Sequence, residues 1–97
     1  MKSNIVYEDD KTIAFPDINP IARVHILIVP KKHIESVETI SSNDGEDLIA
    51  MFCTSQKLTR EKKLDDFRLS FNAGKYQHVP HLHMHLLAGK KIQWSKL

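Results

Sequence analysis

The chain has 97 residues, enough for one domain with a modest core over 1–97, and a domain of this size gains from a partner subunit, so a dimer or a marginal monomer is expected. Its net charge of +2 comes from 14 Lys and Arg interleaved with 12 Asp and Glu, which excludes the basic block of a nucleic-acid or membrane-surface protein and leaves a small anionic ligand compatible. The single cysteine, Cys53, excludes an internal disulfide and suits a reducing compartment, and with no apolar leader and no run of about 18 apolar residues a soluble cytoplasmic protein is expected.

Ile5-Val6-Tyr7 and Thr12-Ile13-Ala14-Phe15 are short β-forming runs on either side of Glu8-Asp9-Asp10-Lys11, the pattern of a hairpin with a four-residue turn. Pro16 ends the second strand. Asp17-Ile18-Asn19-Pro20 reads as a turn, because Asp and Asn bond their local backbone and Pro20 drives Asn19 out of the helical region. Arg23 to Val29 is apolar on both faces, with Val24, Ile26 and Ile28 opposite His25, Leu27 and Val29, which predicts a central strand with His25 mostly buried.

After Pro30, Lys31-Lys32-His33 reads as surface chain, with a short helical turn from Ile34 to Val37. The long helix follows. Ser41, Ser42 or Asn43 can cap it, Asp44, Glu46 and Asp47 put negative charge in its first turn, and Lys57, Arg60, Lys62 and Lys63 put positive charge in its last. Leu48, Met51, Phe52, Ser55 and Leu58 recur at the spacing of an inner stripe. Phe67 to Phe71 alternates as a further strand that stops at Asn72-Ala73-Gly74, and Gly89 to Leu97 is a polar tail carrying Trp94. About five strands with hairpin-like connections and one substantial helix argue an α+β domain with a mainly antiparallel sheet, one face covered by the helix.

The last strand is chemically the richest. His81, His83 and His85 alternate with Leu82, Met84 and Leu86, the pattern of a half-buried strand that turns three imidazoles to one face. Imidazole titrates near pH 6.5, so such rings can act as nucleophile, base or donor near neutrality. Residues two apart on a strand stand roughly 6.6 Å apart, too far for three rings to reach one zinc without a sharp bend, and no Asp or Glu lies between Phe67 and Leu97. A phosphoryl group fits better. The middle ring, His83, can aim a lone pair at phosphorus while a neighbour donates to the nonbridging oxygens, provided the other nitrogen of His83 keeps its proton against an acceptor such as a backbone carbonyl. His78, at a loop end, could go either way.

The run His81-Leu82-His83-Met84-His85-Leu86-Leu87 resembles the signature of the histidine triad family. Ile5-Val6-Tyr7-Glu8-Asp9-Asp10, Ala14-Phe15-Pro16-Asp17-Ile18-Asn19-Pro20 and His25-Ile26-Leu27-Ile28-Val29-Pro30-Lys31-Lys32-His33-Ile34 resemble its nucleotide-binding phosphoramidase branch, and with Asn72, Gln77-His78-Val79 and Trp94 the likeness covers nearly the whole chain. The resemblance implies a histidine triad fold and hydrolysis of purine nucleoside phosphoramidates or acyl nucleotides through a nucleotidyl-histidine. In it His83 is the nucleophile, His85 and Asn72 bind phosphate oxygens with help from Gln77 and His78, His81 fixes His83, and His25 supports His81. Asp17 accepts from the ribose hydroxyls, Phe15 and Ile18 contact the base, and Trp94 approaches the partner's site in a homodimer. No cofactor or metal is implied. Hydrolysis of dinucleoside polyphosphates, or nucleotide binding with little catalysis, are the alternatives.

Three features depart from the family pattern. Its usual first strand and helix are lacking, since only Met1 to Asn4 precede Ile5. The loop between Asn72 and His81 is short, with Tyr76 where a glycine commonly precedes Gln77. His78 stands where relatives often place Ser or an acid, near the leaving group.

Overall fold

The computed structural model describes residues 4–89. It contains strands β1 (Tyr7–Glu8), β2 (Thr12–Pro16), β3 (Val24–Pro30), β4 (Arg68–Ser70) and β5 (Met84–Ala88), one helix, α1 (Gly45–Glu61), and three single 3-10 turns. All strand pairs are antiparallel, in the order β1-β2-β3-β5-β4. The architecture is the expected α+β arrangement. Among the described residues no helix is long and apolar enough to cross a membrane.

The hairpin turn lies one place later than expected, on the register Glu8↔Ile13. Asp9 organises it by accepting from the N–H groups of Lys11 (2.9 Å) and Thr12 (2.8 Å) and from the Tyr7 hydroxyl (2.8 Å). Burial pushes the Asp9 carboxyl up, but those hydrogen bonds outweigh it and hold it at about 2.

Period-two alternation assigns the faces of the sheet. Ala14, Ile26, Ile28, Met84 and Leu86 point toward α1 and form the core with Met51, Leu58, Ile34 and Leu82. Phe15, His25, Leu27, His85 and Ser70 lie on the opposite face, which no helix among the described residues covers. β3 occupies the centre of the sheet and His25 is buried, as its two-sided apolar pattern predicts.

The inner stripe of α1 differs from expectation. Met51, Thr54, Ser55, Leu58 and Thr59 are buried, whereas Phe52 is 47% exposed. Hydroxyl groups can occupy the inner face because each has a partner. The Thr54 hydroxyl meets that of Thr12 at 2.7 Å, and Ser55 and Thr59 donate back to the carbonyls of Phe52 and Gln56 (2.7 and 3.0 Å). The helix start is also displaced. Ser41 opens a 3-10 turn at Ser42–Asp44 in which its own N–H donates to Asp44 (3.0 Å), and α1 begins only at Gly45. The expected turn at Ile34 to Val37 falls instead at Val37–Thr39, because the Ser36 hydroxyl caps it by accepting from the Glu38 N–H at 3.1 Å.

The histidine strand starts three residues later than its alternation suggests. β5 begins at Met84, and before it the chain turns at Pro80, where the His81 N–H donates to the Val79 carbonyl at 2.8 Å. This is an i to i+2 bond around a residue whose ring pre-sets the needed φ. The alternation of burial nevertheless continues through it: Leu82 and Met84 are inside, and His81 and His83 are only half-buried.

Candidate active site

Cross-strand registers Phe15↔Leu27, Leu27↔His85 and Ser70↔His85 set these four side chains in one row across the open face of the sheet. His25, two places along β3 from Leu27, stands beside the row. His83 precedes the strand, and its ring lies 5.0 Å from that of His85.

The protons of this cluster can be placed one by one. His83 Nδ1 is 2.8 Å from the His81 carbonyl oxygen, an acceptor only, so Nδ1 carries the proton and Nε2 keeps its lone pair. The Ile21 N–H donates to His25 Nδ1 at 3.1 Å, which fixes the His25 proton on Nε2. That proton faces His85 Nδ1 at 2.9 Å and the Asp17 carboxylate at 3.3 Å. His85 Nδ1 is therefore an acceptor, and its own proton sits on Nε2, 3.4 Å from the amide nitrogen of Asn72. Two donors thus converge where neither satisfies the other, and an entering anionic oxygen would accept from both.

Electrostatics keep His85 neutral at pH 7. Burial and the adjacent His83 and His25 rings push it down to about 4, against a weaker opposing pull from Asp17. Burial likewise pushes His25 down, with Asp17 opposing. A neutral ring with a defined tautomer is a directional donor and not a diffuse positive charge.

Asp17, His25 and His85 each offer one ligand atom within 4.8 Å of the others, a spacing that suits a metal. Tetrahedral donors around zinc stand about 3.3 Å apart, and the contacts of 2.9 and 3.3 Å match. The proton pattern does not fit. The Ile21 N–H occupies the lone pair of His25 Nδ1, so the nitrogen facing the trio holds a proton where a metal needs an electron pair. The trio is a proton-ordered chain.

Several residues stand elsewhere than expected. His25 meets His85 and not His81, because the turn at Pro80 carries His81 away from the sheet face. The three imidazoles do not share one face: the His81 ring donates through Nε2 to the Pro30 carbonyl at 2.9 Å and faces the ring of His33, with centroids 5.1 Å apart. His81 holds His83 with its backbone oxygen, not with its ring. The Gln77 amide is turned from the phosphate region, donating to the carbonyls of Glu35 (2.7 Å) and Val79 (2.9 Å). His78 lines an open cleft of about 320 Å³ with Glu35, Glu38 and Gln77.

Asp17 also accepts from the Asn19 N–H at 2.8 Å through its second oxygen, so it shapes the turn as well as facing His25. Ile18 is 85% exposed and Phe15 is half-buried on the open face. Trp94 lies outside the described residues. Sequence reading missed Ser70, whose buried hydroxyl, on the residue opposite His85, has no hydrogen-bond partner among the described residues, and the pairing of His33 with His81. Neither leaves a periodic signal. Only the register of β4 against β5, and the crossing of the chain at Pro30, bring them in.

The profile of the HIT domain matches residues 1–92. An uncharacterized HIT-like protein of Buchnera aphidicola is 43% identical over 94 residues, covering 93% of this chain and 84% of that protein. A purine nucleoside phosphoramidase of Escherichia coli is 38% identical over 94 residues, covering 93% and 79%. The crystal structure of a histidine triad protein from Clostridium difficile superposes with a TM-score of 0.90 at 41% identity, covering 99% of this chain and 87% of that one.

Proposed function

The chain belongs to the HIT domain family, and from that premise we propose that it is a nucleotide hydrolase cleaving purine nucleoside phosphoramidates or acyl nucleotides to the nucleoside monophosphate. The observation that carries the reading is the His83 ring, whose proton is held at Nδ1 by a backbone carbonyl so that Nε2 presents a lone pair beside the two donors, His85 and Asn72.

In the first step the lone pair of His83 Nε2 forms a bond to the α-phosphorus as the bond from phosphorus to the leaving nitrogen breaks. The nitrogen takes a proton from solvent and departs as an amine. His85 Nε2–H and the Asn72 amide bind nonbridging oxygens and hold the charge that gathers on them. Water then attacks phosphorus, the nitrogen–phosphorus bond to His83 breaks, the proton of the water returns to solvent, and the monophosphate leaves. Ile18 and Phe15 wall the base, and Asp17 accepts from the ribose diol with the carboxylate lone pairs that the turn leaves open. His78 is given a place near the leaving group by the family resemblance, while its own cleft is lined by Glu35, Glu38 and Gln77 and by no histidine of the site.

The active form is a homodimer. The outward face of α1 exposes Ile49 (65%) and Phe52 (47%) one turn apart, and β4 ends the sheet as an edge strand, so a second copy would cover apolar surface that this chain leaves in water. The exposed thiol of Cys53 suits the cytoplasm.

Adenosine 5′-phosphoramidate with wild type and His83→Ala tests the reading. Deleting a covalent nucleophile is expected to cost about three orders of magnitude or more in turnover. Equal turnover by the two removes His83 from the chemistry. A dinucleoside polyphosphate cleaved faster than the phosphoramidate would move the substrate class, and AMP binding without any turnover would leave a binding module.

A further inference from the structure

We propose that His33 is a positioning residue for the nucleophile, acting through the ring of His81, an inference that rests on the assignment of His83 as the nucleophile. The oxygen that orients His83 belongs to the His81 peptide, and this peptide lies in the short stretch between the turn at Pro80 and the first residue of β5. No sheet ladder holds it there.

What holds it is a set of bonds to the last residue of β3 and to the strap that follows it, residues 31 to 35. His81 Nε2–H donates to the Pro30 carbonyl (2.9 Å), the Leu82 N–H to the Ile34 carbonyl (2.6 Å), and the Gln77 amide to the Glu35 carbonyl (2.7 Å). The fourth contact joins side chains, His33 Nδ1 to His81 Nδ1 at 3.3 Å, with the rings at 76° to one another. The strap is itself tethered, Lys31 to Glu8 at 2.7 Å and Lys32 to Asp44 at 2.6 Å. It therefore acts as a fixed rail against which residues 77 to 82 are set.

The proton inventory gives His33 its role. Facing a carbonyl, His81 Nε2 must carry the proton, which leaves Nδ1 with a bare lone pair that only a donor can satisfy. His33 Nδ1–H is that donor. It locks the His81 ring in a single tautomer and rotamer, so the ring stays bonded to Pro30 and the His81 carbonyl stays aimed at His83. Without His33 the ring is free to carry its proton on Nδ1, give up the Pro30 contact and let the peptide rock. The consequence would appear in the chemical step and not in nucleotide binding.

His33→Leu removes the donor, and His33→Asn keeps one, because the Asn amide nitrogen stands close to where Nδ1 stood. The two variants are compared with wild type by imidazole 15N chemical shifts of His81 and His83 and by kcat and KM for adenosine 5′-phosphoramidate, with urea midpoints confirming folding at this exposed position. The expected result is a single Nε2–H tautomer of His81 in wild type and His33→Asn and a mixture in His33→Leu. The expected kinetics are a fall in kcat of about tenfold or more in His33→Leu, KM within about twofold, and recovery in His33→Asn. The proposal is overturned if His33→Leu keeps the tautomer and the rate, if both variants fall alike, or if the loss lies in KM. A wild type that turns over no phosphoramidate would sink the catalytic reading, while the tautomer spectra would still decide whether His33 orders His81.

Discussion

Acidification from about pH 7.5 to about pH 4.5 should weaken the fold through a ring that the site keeps neutral. His85 is held at about 4 in the folded chain against an ordinary 6.5, because burial disfavours its charge and the His83 and His25 rings would repel it. The unfolded chain takes up that proton as the pH drops through 6.5, whereas the folded chain takes it up only near 4. Stability associated with neutral His85 is therefore complete above about 6.5 and is lost across the interval down to about 4.

At about 1.36 kcal/mol per pH unit, the roughly two units between 6.5 and 4.5 set a ceiling of about 3 kcal/mol. The ring is half-buried, so solvent screening reduces this to about 1–2 kcal/mol. His25, also pushed down by burial, adds in the same direction. Asp9 and Asp44 have lowered values, so their contributions are present above the ordinary 3.8 and lost only below it, outside this interval. Urea midpoints at constant slope, measured on wild type and His85→Asn at several pH values between these limits, check the reasoning. Wild type should lose about 1–2 kcal/mol, and the variant, having no ring to titrate, distinctly less. A wild type whose stability is flat or rises toward pH 4.5, or a variant with an identical slope, would refute the environment assigned to His85.

Three further outcomes follow from contacts outside the reaction. Thr54→Val leaves the buried Thr12 hydroxyl short of one partner and should cost about 1–2 kcal/mol in urea unfolding; no change would mean that the hydroxyl contact at 2.7 Å does not join α1 to the hairpin. Ser70→Ala removes a buried hydroxyl that has no partner among the described residues and should leave stability equal or raise it by up to about 1 kcal/mol, whereas a loss above that size would show that the hydroxyl has an interaction worth keeping. The proposed homodimer through α1 predicts that Phe52→Glu shifts the mass toward monomer in sedimentation experiments, and an unaltered mass would contradict that contact.

The alternation from His81 to Leu86 shows what was legible and what was not. Burial follows the pattern residue by residue, so the core set could be read directly, but the strand itself waits until Met84 because Pro80 turns the chain first. β3 was legible as a central strand because apolar residues on both faces have few other uses. The stripe of α1 was misread at Phe52 and Thr54, since a hydrophobicity pattern does not record that a threonine can find its partner in a distant hairpin.

In the site, local requirements were readable and long-range partners were not. That His83 needs an acceptor for one nitrogen follows from imidazole chemistry, and a carbonyl supplies it. That His25 orders His85 across 60 residues, while His81 turns to Pro30 and His33, depends on strand order and register, which no periodicity encodes. Charge runs such as Lys31-Lys32-His33 look like solvent-facing decoration in sequence, yet Lys31 and Lys32 pin the strap that borders the site.

The most direct measurement is rapid-quench mass spectrometry of the protein during turnover of an adenosine phosphoramidate or acyl adenylate, with the modified residue mapped by fragmentation. An AMP adduct on His83 that forms and decays at catalytically competent rates, and is absent in His83→Ala, is the expected result. An adduct on His81 or His85, or steady turnover with no protein-bound nucleotide at any time, would contradict it.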